Sequence, residues 1–181
     1  RDKAYITGIL HSDGCITKTG QVRIKMTDLD LMEQINSKIY KNRQLYAHTP
    51  ENIKHKQNKL LVITHEQIYN DVQKHGCCLD KSYNLQFPST IPEHLMGDYF
   101  RGFFDGDGCV YVNEKLSYKP ANITIMATSV WVNGAIEWLE KKGIRAANYQ
   151  DKRTDVRIGR LTVSDVKSIE SFFDLMYENL N

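Results

Sequence analysis

The sequence lacks the marks of a membrane or secreted protein. No apolar run approaches the roughly 18 residues that a helix needs to cross a bilayer. Residues 1–5 (RDKAY) contain neither an initiator Met nor the apolar core of a signal peptide. We therefore expect an intracellular protein with no membrane partner, and a chain trimmed or excised from a longer one.

Cysteine, proline and glycine are also scarce. The 181 residues include 4 Cys, 4 Pro and 11 Gly, which excludes collagen-like and low-complexity proteins. The cysteines form no C-x-x-C pair, so we expect reduced thiols and no zinc site. Hydrophobic residues are 41% of the chain and charged residues 25%, a composition typical of a globular protein with a core.

Positive and negative charges nearly cancel over the whole chain but not within individual segments. The formal net charge is only +2, yet residues 41–60 and 141–160 are rich in Lys and Arg, and residues 164–181 are acidic. Such an uneven distribution favours a polyanionic partner on one face. A solvated charged surface is the commoner explanation of any single run.

What the sequence does contain is an internal repeat. The segments 5–15 (YITGILHSDGC) and 99–109 (YFRGFFDGDGC) share Tyr, Gly, Asp, Gly and Cys at the same positions, about half the chain apart. A repeat of this size indicates a duplicated structural unit.

The residues after each motif predict a β-hairpin. In the first copy, alternating residues predict strands at 16–19 and 21–26 with Gly20 in the turn. In the second copy we expect Val110 and Val112 to lie on the buried face of the equivalent hairpin.

A capped helix, two short strands and a third helix then complete each copy. Capping patterns predict helix starts at Thr27, Ser129 and Ser164, and Gly76 ends the third helix of the first copy. The four strands are expected near 44–48, 60–64, 144–150 and 157–163.

The predicted fold class is α+β, with two pseudo-symmetric αββαββα repeats. We assign residues 1–84 to the first repeat and 95–181 to the second, joined by a linker at 85–94 that contains Pro88 and Pro92. Because this linker is short, the repeats should pack as a pseudo-twofold pair, each with a four-stranded antiparallel sheet.

Two glycines in the repeated motif predict how the repeats meet. Gly8 and Gly102 lie inside helical patterns, where Gly costs about 1 kcal/mol relative to Ala. A missing side chain is most useful where two helix backbones approach closely. We therefore expect the two motif helices to pack against each other at the centre, through these residues.

The Asp-Gly pairs that end the two motifs predict a site shared by both repeats. Gly14 and Gly108 allow each helix to end abruptly, which brings Asp13 and Asp107 to adjacent helix ends. Two such carboxylates repel each other, which favours a divalent cation between them. One Asp-Gly pair is most often only a stop signal, but its duplication favours a functional pair.

The segments ITGILHSDG (6–14) and FRGFFDGDG (100–108) resemble the two signature motifs of LAGLIDADG homing endonucleases in their single-chain form. The resemblance covers essentially the whole chain. It implies a site-specific, metal-dependent endonuclease that makes a staggered double-strand break at a long asymmetric DNA site. It also implies a monomer whose sheets form a saddle on double-stranded DNA, with intron RNA as a further partner.

The resemblance also implies the roles of individual residues. Asp13 and Asp107 would be catalytic and bind the metal, helped by the main-chain carbonyls of Ser12 and Gly106. The expected ion is Mg²⁺, for which Mn²⁺ or Ca²⁺ could substitute in binding. Lys81 would assist catalysis, and an exposed, solubilising lysine is the alternative.

His11 occupies the place of Asp105 in the second motif, a position that the resemblance implies does not bind metal. We expect a helix-end residue there, and contact with a DNA phosphate is the alternative.

The polar faces of the two hairpins and of the following strands predict the DNA contacts, since a major groove admits a two-stranded ribbon. Exposed sheet surface is the alternative explanation for each residue. The candidates are Thr17, Thr19, Gln21, Arg23, Lys25, Gln44, Tyr46, His48, Tyr111, Asn113, Asn122, Thr124, Tyr149, Arg153, Arg157 and Arg160.

Two other functions fit the same repeats. A non-cleaving nucleic-acid-binding protein, such as an intron RNA maturase or a transcriptional regulator, would have the same fold. A structural duplication with no nucleic-acid role would show no metal-dependent behaviour. Both motif aspartates, Asp13 and Asp107, are present, which favours the enzyme because a pure binder has no need of them.

Overall fold

A computed structural model describes residues 1–40, 45–48, 58–112, 121–149 and 157–177 of the chain. The first half contains α1 (Asp2–Ser12), β1 (Gly14–Ile16), β2 (Val22–Met26), α2 (Leu29–Ile39), β3 (Tyr46–His48), β4 (Asn58–Ile63) and α3 (Glu66–Lys74). A short helix, α4 (Lys81–Asn84), and a 3₁₀ turn (Glu93–Leu95) follow. The second half contains α5 (Met96–Asp107), β5 (Gly108–Val112), β6 (Ala121–Thr128), α6 (Ser129–Lys141), β7 (Ala147–Asn148), β8 (Ile158–Val163) and α7 (Val166–Tyr177).

The strands form two four-stranded antiparallel sheets with the same internal order. One sheet is ordered β1-β2-β4-β3 and the other β5-β6-β8-β7. The predicted α+β class and the αββαββα order of each copy are thus confirmed. The short helix α4 was not predicted, and the repeat boundaries at 84 and 95 stay a prediction.

Side chains in β2 and β6 alternate as their sequences predict. Val22, Ile24 and Met26 are buried and the intervening residues of β2 are exposed. In β5 the predicted alternation also holds, since Val110 pairs with the buried Ile123 and Tyr111 pairs with Asn122. Val110 is nevertheless 46% exposed and Val112 is 59% exposed, because β5 lies at the edge of its sheet and the core does not cover these valines.

Each sheet packs against its own hydrophobic core. The segment that links the two copies packs into the core of the second sheet. The core of the second sheet contains Leu85 and Ile91 from the segment before α5. It also contains Ala4 of α1, so the first motif helix contributes to both halves of the molecule.

Three helix caps differ from the predicted residues. The Asp28 side chain, not Thr27, accepts from the backbone N–H of the residue three positions on. Thr128 has the same role one residue before the predicted Ser129. The Asp165 carboxylate accepts from the Ser168 N–H, so it replaces Ser164 as the cap.

Two further observations concern the chain as a whole. None of the helices in the described part of the chain is long and apolar enough to cross a membrane. All four cysteines are free thiols, with Cys77 buried and Cys15 and Cys109 exposed.

Candidate active site at the paired helix ends

The motif helices α1 and α5 approach most closely at their glycines. A Cβ on Gly8 would lie 2.2 Å from the carbonyl oxygen of Tyr99. A Cβ on Gly102 would lie 2.0 Å from the carbonyl oxygen of Tyr5. Both distances are far below van der Waals contact, so the two backbones touch and no other residue fits at either position.

The glycines after the aspartates are required for a different reason from the one expected. Neither Gly14 nor Gly108 has a positive φ, so the helices do not end through a left-handed residue. A Cβ on Gly14 would lie 2.7 Å from Leu10 atoms, and one on Gly108 would lie 2.2 Å from the Phe104 ring. Both glycines let the chain turn back tightly over its own helix and enter a strand directly.

This arrangement brings two carboxylates to the ends of the paired helices. Asp13 is the C-cap of α1 and Asp107 is the last residue of α5, and both side chains are exposed. Partial burial raises the pKa of Asp13 above its ordinary value. Partial burial also raises the pKa of Asp107, and the nearby negative charge of Asp13 raises it further.

A lysine from the unpredicted helix α4 lies at the same helix ends. The Lys81 ammonium donates to the carbonyl oxygen of His11 at 3.0 Å and also to that of Ser12. Its charge opposes the rise in the pKa of both Asp13 and Asp107. Lys81 therefore lies close to both carboxylates, although it is about 70 residues from the first motif in sequence.

The residue before Lys81 has an unusual backbone conformation. Asp80 has φ 54° and ψ 39°, the left-handed region that non-glycine residues adopt rarely. Such conformations concentrate at functional sites, where the surroundings enforce them.

The donors at the helix ends suit a hard divalent cation. Asp13, Asp107 and the carbonyl of Gly106 offer oxygen, the ligand atom that Mg²⁺ prefers. The helices meet closely here, since a Cβ on Gly106 would lie 3.1 Å from the Asp13 carboxylate. Within the described residues, no group of three or more His, Cys, Asp and Glu side chains is arranged to hold a metal ion.

Solved structures share the architecture over nearly the whole chain, whereas no protein-family profile matches it. The DNA-bound LAGLIDADG homing endonuclease I-LtrWI aligns with a TM-score of 0.61 and 15% identity, over 98% of this chain and 83% of its own. Mesophilic variants of the homing endonuclease I-DmoI align with a TM-score of 0.62 and 12% identity, over 98% of this chain and 96% of their own. The N-terminal LAGLIDADG domain of WhiA aligns with a TM-score of 0.60 and 10% identity, over 97% of this chain and 82% of its own. The chain has the LAGLIDADG fold.

One curated relative matches by sequence. An uncharacterised protein of Methanocaldococcus jannaschii is 27% identical over 166 residues, which is 87% of this chain. The chain spans 60% of the length of that relative. The LAGLIDADG assignment therefore describes the fold, and activity must be argued from the site.

One residue of the first LAGLIDADG motif has a structural environment that the sequence did not indicate. His11 is 1% exposed, and its Nδ1 lies 3.0 Å from the hydroxyl of Tyr99. Trp131 Nε1 donates to the same hydroxyl at 2.8 Å, so the hydroxyl of Tyr99 links the two rings. The other ring nitrogen of His11, Nε2, is buried without a hydrogen-bond partner among the described residues, and His11 is too buried to contact DNA.

The pair formed by Tyr99 and His11 has a counterpart in the other repeat. The Tyr5 hydroxyl donates to Asp105 at 2.7 Å, and these two residues occupy the same motif positions. Each motif helix thus places a tyrosine hydroxyl within hydrogen-bond distance of a residue at the end of the other. One pair is buried and neutral, and the other is exposed and contains a carboxylate.

The buried imidazole predicts acid sensitivity. Burial and, to a smaller extent, the nearby charges of Lys81 and His75 together lower the pKa of His11 to about 3. Below pH 6.5 the unfolded chain takes up a proton that the folded chain does not, so stability falls as the pH decreases toward 3. We expect a loss of roughly 2 kcal/mol at pH 5 relative to neutral pH.

Chemical denaturation of the protein and of His11→Gln as a function of pH measures this loss. Gln retains an acceptor for Tyr99 without titrating, so the variant should be less sensitive to pH between 7 and 4. Equal pH profiles for the two proteins would show that His11 contributes nothing.

The predicted DNA-contacting residues are only partly on strands. Thr17, Thr19 and Gln21 lie in the β1–β2 turn, which is held by the Thr17 hydroxyl accepting from the Gln21 N–H at 3.1 Å. Arg23 and Lys25 are exposed on β2, on the side of the sheet opposite the core. Gln44, Asn113 and Arg153 lie outside the described residues, and His48 is placed by its backbone alone in β3.

Register shows which other residues share these exposed faces. Lys25 and Tyr46 both pair with Leu60, so the three form one row across the first sheet. In the second sheet Tyr111 pairs with Asn122, Thr124 with Thr162, and Arg160 with Met126. Two arginines stack on tyrosines: Arg160 lies 5.7 Å from the Tyr149 ring and Arg157 lies 4.2 Å from the Tyr83 ring.

The sequence did not indicate that apolar side chains interrupt these faces. Leu60 and Val62 belong to a continuous apolar run, in which alternation cannot identify the outer side. Met126 is 38% exposed on the outer face of β6. The sequence did not indicate that Tyr83 packs against Arg157, because α4 is too short to show a helical pattern.

Proposed function

We propose that the protein is a site-specific DNA endonuclease that makes a metal-dependent staggered break in a long asymmetric duplex. The observation that carries this proposal is the pairing of Asp13 and Asp107 at adjacent helix ends, with Lys81 beside them. Two exposed carboxylates whose pKa values are raised contribute little to folding. The unfavourable placement of two carboxylates side by side is explained if a cation and a phosphodiester bind there and the cation neutralises their charge.

Asp13, Asp107 and the Gly106 carbonyl would hold Mg²⁺, with Mn²⁺ or Ca²⁺ able to replace it in binding. A related fold supports metal use, since a variant of I-DmoI was crystallised with its target DNA in the presence of Mn. When bound, the cation supplies Lewis-acid stabilisation of the developing charge on phosphorus. The two carboxylates fix its place relative to the DNA because rigid, closely packed helices hold them.

Lys81 would add a positive charge beside the scissile phosphate. In this structure its ammonium binds the carbonyls at the end of α1, so it is already oriented at the site. A cation placed there attracts the phosphate and stabilises negative charge in the transition state. Because α4 lies immediately before the linker at 85–94, this lysine contacts the end of the first motif helix while lining a cleft that includes Asp107.

The two sheets would hold the duplex, with their exposed faces in successive major grooves. DNA-bound neighbours such as I-LtrWI support this use of the fold. The two faces carry different residues, so the recognised site should be asymmetric. One chain contains both motif helices, so we propose that it acts as a monomer.

Binding should depend strongly on salt although the net charge is only +2. Phosphate neutralisation by local Lys and Arg releases counterions. We expect Arg23→Ala to weaken binding by about 1 to 3 kcal/mol if it contacts a base, and Lys25→Ala to reduce the salt slope by about 1. Titrations of labelled duplex at several salt concentrations measure both quantities.

Lys141→Ala is the matched control because Lys141 is an exposed lysine in the last turn of α6 and lies outside the predicted DNA-contacting strands. It should change neither affinity nor slope. Unchanged binding in both Arg23→Ala and Lys25→Ala would show that the exposed face of β2 does not contact DNA.

A non-cleaving nucleic-acid-binding protein is the second candidate. The observation that favours it is the contact between Lys81 and the Ser12 carbonyl, which occupies an oxygen expected to bind metal. A regulator of this kind would bind DNA without cutting it, and a maturase would bind intron RNA in preference to duplex DNA.

Cleavage of the DNA that flanks the gene's insertion point, assayed with and without Mg²⁺, separates these candidates. Cleavage that needs Mg²⁺ and is absent in the Asp13→Asn, Asp107→Asn double variant supports the endonuclease. Specific binding of that DNA or of intron RNA, with no cleavage under any divalent cation, supports the second candidate.

A further inference from the structure

A row of side chains crosses the outer face of the second sheet, starting at a motif aspartate. Met126 pairs with Arg160, and the Tyr149 N–H donates to the Arg160 carbonyl at 2.8 Å. One position beyond the last pair of β5 and β6, Asp107 stands opposite Met126. We call Asp107, Met126, Arg160 and Tyr149 the Arg160 row. It begins at the candidate metal site.

The equivalent row of the first sheet has its charged and apolar residues exchanged. One position beyond the last pair of β1 and β2, Asp13 stands opposite Lys25, and both Lys25 and Tyr46 pair with Leu60. The cation is therefore one strand from its aspartate in the first sheet and two strands from it in the Arg160 row. Tyr46 and Tyr149, at the far ends of the rows, are 54% and 62% exposed. A duplex lying on both sheets would meet a cation at different distances from the two helix ends.

The guanidinium of Arg160 is held from two sides. Its Nε donates to the Sδ of Met126 at 3.4 Å, and its Cζ lies 5.7 Å from the centre of the Tyr149 ring. A thioether is a weak acceptor, and the face of an aromatic ring attracts a cation. The backbone is fixed as well, because the Asn148 Oδ1 accepts from the Arg160 N–H at 3.2 Å. The planar group is thus oriented before any ligand binds.

The terminal nitrogens of Arg160 remain to bind a ligand. Within the described part of the chain, neither Nη1 nor Nη2 has a hydrogen-bond partner. Arg23, on the exposed face of the first sheet, differs because its Nε and Nη2 donate to the Gln21 Oε1 at 3.1 and 2.7 Å. That arginine must release an acceptor before it can bind a base. Arg160 keeps a pair of donors whose spacing matches the O6 and N7 acceptors of guanine in a major groove.

The surroundings of Arg160 favour a base over a phosphate. The groups beside its guanidinium are a thioether and an aromatic ring, and both side chains are exposed. Apolar surface of this kind suits base edges and the methyl group of thymine better than a hydrated anion. The nearest pair on the same face, Thr124 with Thr162, is uncharged. Asp107 of the same row adds a negative charge, which repels phosphate.

We propose that Arg160 is a specificity-determining residue that reads one guanine of the DNA site through Nη1 and Nη2, and that Met126 and Tyr149 are its positioning residues. This inference rests on the proposed DNA binding but not on cleavage, because none of the three residues contacts a metal in it. Met126 lines the same cleft as Asp107 and Lys81. The guanine therefore lies near the helix ends and not at the far end of the half-site.

Selection from a library of randomised duplexes, in EDTA so that no strand is cut, tests the proposal with the full chain. The parent should enrich a site in which one guanine position is lost when the selection is repeated with Arg160→Lys. Lysine keeps the charge but lacks the two-nitrogen fork, so the other positions should stay. Arg145→Lys is the matched control, because Arg145 is exposed and its backbone N–H donates to Ser168 of α7, and it should reproduce the parental site.

Titration of the selected duplex, and of the same duplex with that G·C pair changed to A·T, measures the size of the effect. The parent should prefer G·C by about tenfold or more, and Arg160→Lys should bind the two duplexes about equally. Met126→Leu removes the sulfur acceptor and Tyr149→Leu removes the ring. Each should reduce the preference by about threefold while leaving affinity for the A·T duplex unchanged. A merely structural role would weaken binding of both duplexes alike.

Two results would overturn this inference alone. One is a selected site that Arg160→Lys leaves unchanged. The other is an equal loss of affinity for both duplexes in that variant, which would make Arg160 a phosphate contact. A parent that enriches no sequence would overturn it together with the proposed DNA recognition.

Cleavage in Mg²⁺ is measured separately on the selected duplex. Specific binding without cleavage would reject the endonuclease, and the loss of the guanine position in Arg160→Lys would still support the role of Arg160. Thermal melts of the four variants establish that they are folded.

Discussion

Double-strand cleavage is expected to fall by about a thousandfold in either Asp13→Asn or Asp107→Asn, since several kcal/mol of transition-state stabilisation correspond to a factor of that size. Asn retains the size of Asp but removes the charge that holds a cation at the helix ends. Duplex binding should persist and become slightly tighter, because the substitution removes an anion that repels phosphate. Gel-shift titration and a cleavage time course in Mg²⁺ measure the two effects separately.

The DNA products of each single variant test whether the two carboxylates act independently or share a metal. If each carboxylate served one DNA strand alone, a single variant would still nick the other strand. The Asp13 carboxylate lies beside Gly106 of the opposite helix, and its charge raises the pKa of Asp107. We therefore propose that a metal is shared, so that both strands stay largely intact in either variant. A plasmid assay that separates supercoiled, nicked and linear forms distinguishes the two outcomes.

Asp105→Asn is the matched control for both aspartates. Asp105 is an exposed carboxylate on α5, two residues before Asp107, but the hydroxyls of Tyr5 and Tyr177 bind it. Its loss should leave cleavage close to that of the parent. A variant of Asp105 that is as inactive as Asp107→Asn, or parental activity in Asp13→Asn and Asp107→Asn, would contradict the proposed mechanism.

The fold was predictable from sequence because its evidence is local and occurs twice. Alternation in β2 and the repeated motif each depend on residues within one element, and the second copy repeats the signal. Alternation also places Val110 and Val112 on one face of β5, yet both are exposed because that strand lies at a sheet edge. Alternation tells which residues share a face, and only the tertiary structure tells whether anything covers it.

The residues of the candidate site were named from the sequence and its family resemblance, but the contacts of Lys81 were not. Asp13 and Asp107 belong to the motif itself, whereas the carbonyls that Lys81 binds are far from it in sequence. The buried environment of His11 also depends on Tyr99 and Trp131 of the other repeat. Long-range contacts of this kind leave no periodic signal, so the polar chain in the core and the orientation of Lys81 emerge only from the structure.

The largest loss of stability is expected from Gly102→Ala. The added Cβ would lie 2.0 Å from the Tyr5 carbonyl oxygen and 3.2 Å from the Ile9 nitrogen, and both neighbours are backbone atoms of α1. Side chains could move aside, but here one helix must shift relative to the other. Overpacking of this kind should lower the free energy of unfolding by about 3 kcal/mol or more.

Gly20→Ala is the control because an added Cβ there meets no atom within 4 Å. Its cost is the left-handed backbone, with φ at +77°, which amounts to about 1 to 2 kcal/mol. Urea denaturation of both variants compares a steric cost with a conformational one. A smaller loss for Gly102→Ala than for Gly20→Ala would mean that the motif helices do not touch at this position.

Combining Gly102→Ala with Gly8→Ala tests whether the two glycines form one contact. Gly8 faces the carbonyl of Tyr99 and Gly102 faces that of Tyr5, at the same crossing of α1 and α5. A shift that relieves one clash moves the helices apart and relieves part of the other. The double variant should therefore be less destabilised than the two single losses added together, as expected for residues in one interface. Strict additivity would show that the two halves of the crossing adjust independently. In that case the aspartates at the helix ends would be positioned separately, and a metal shared between them would lose its structural basis.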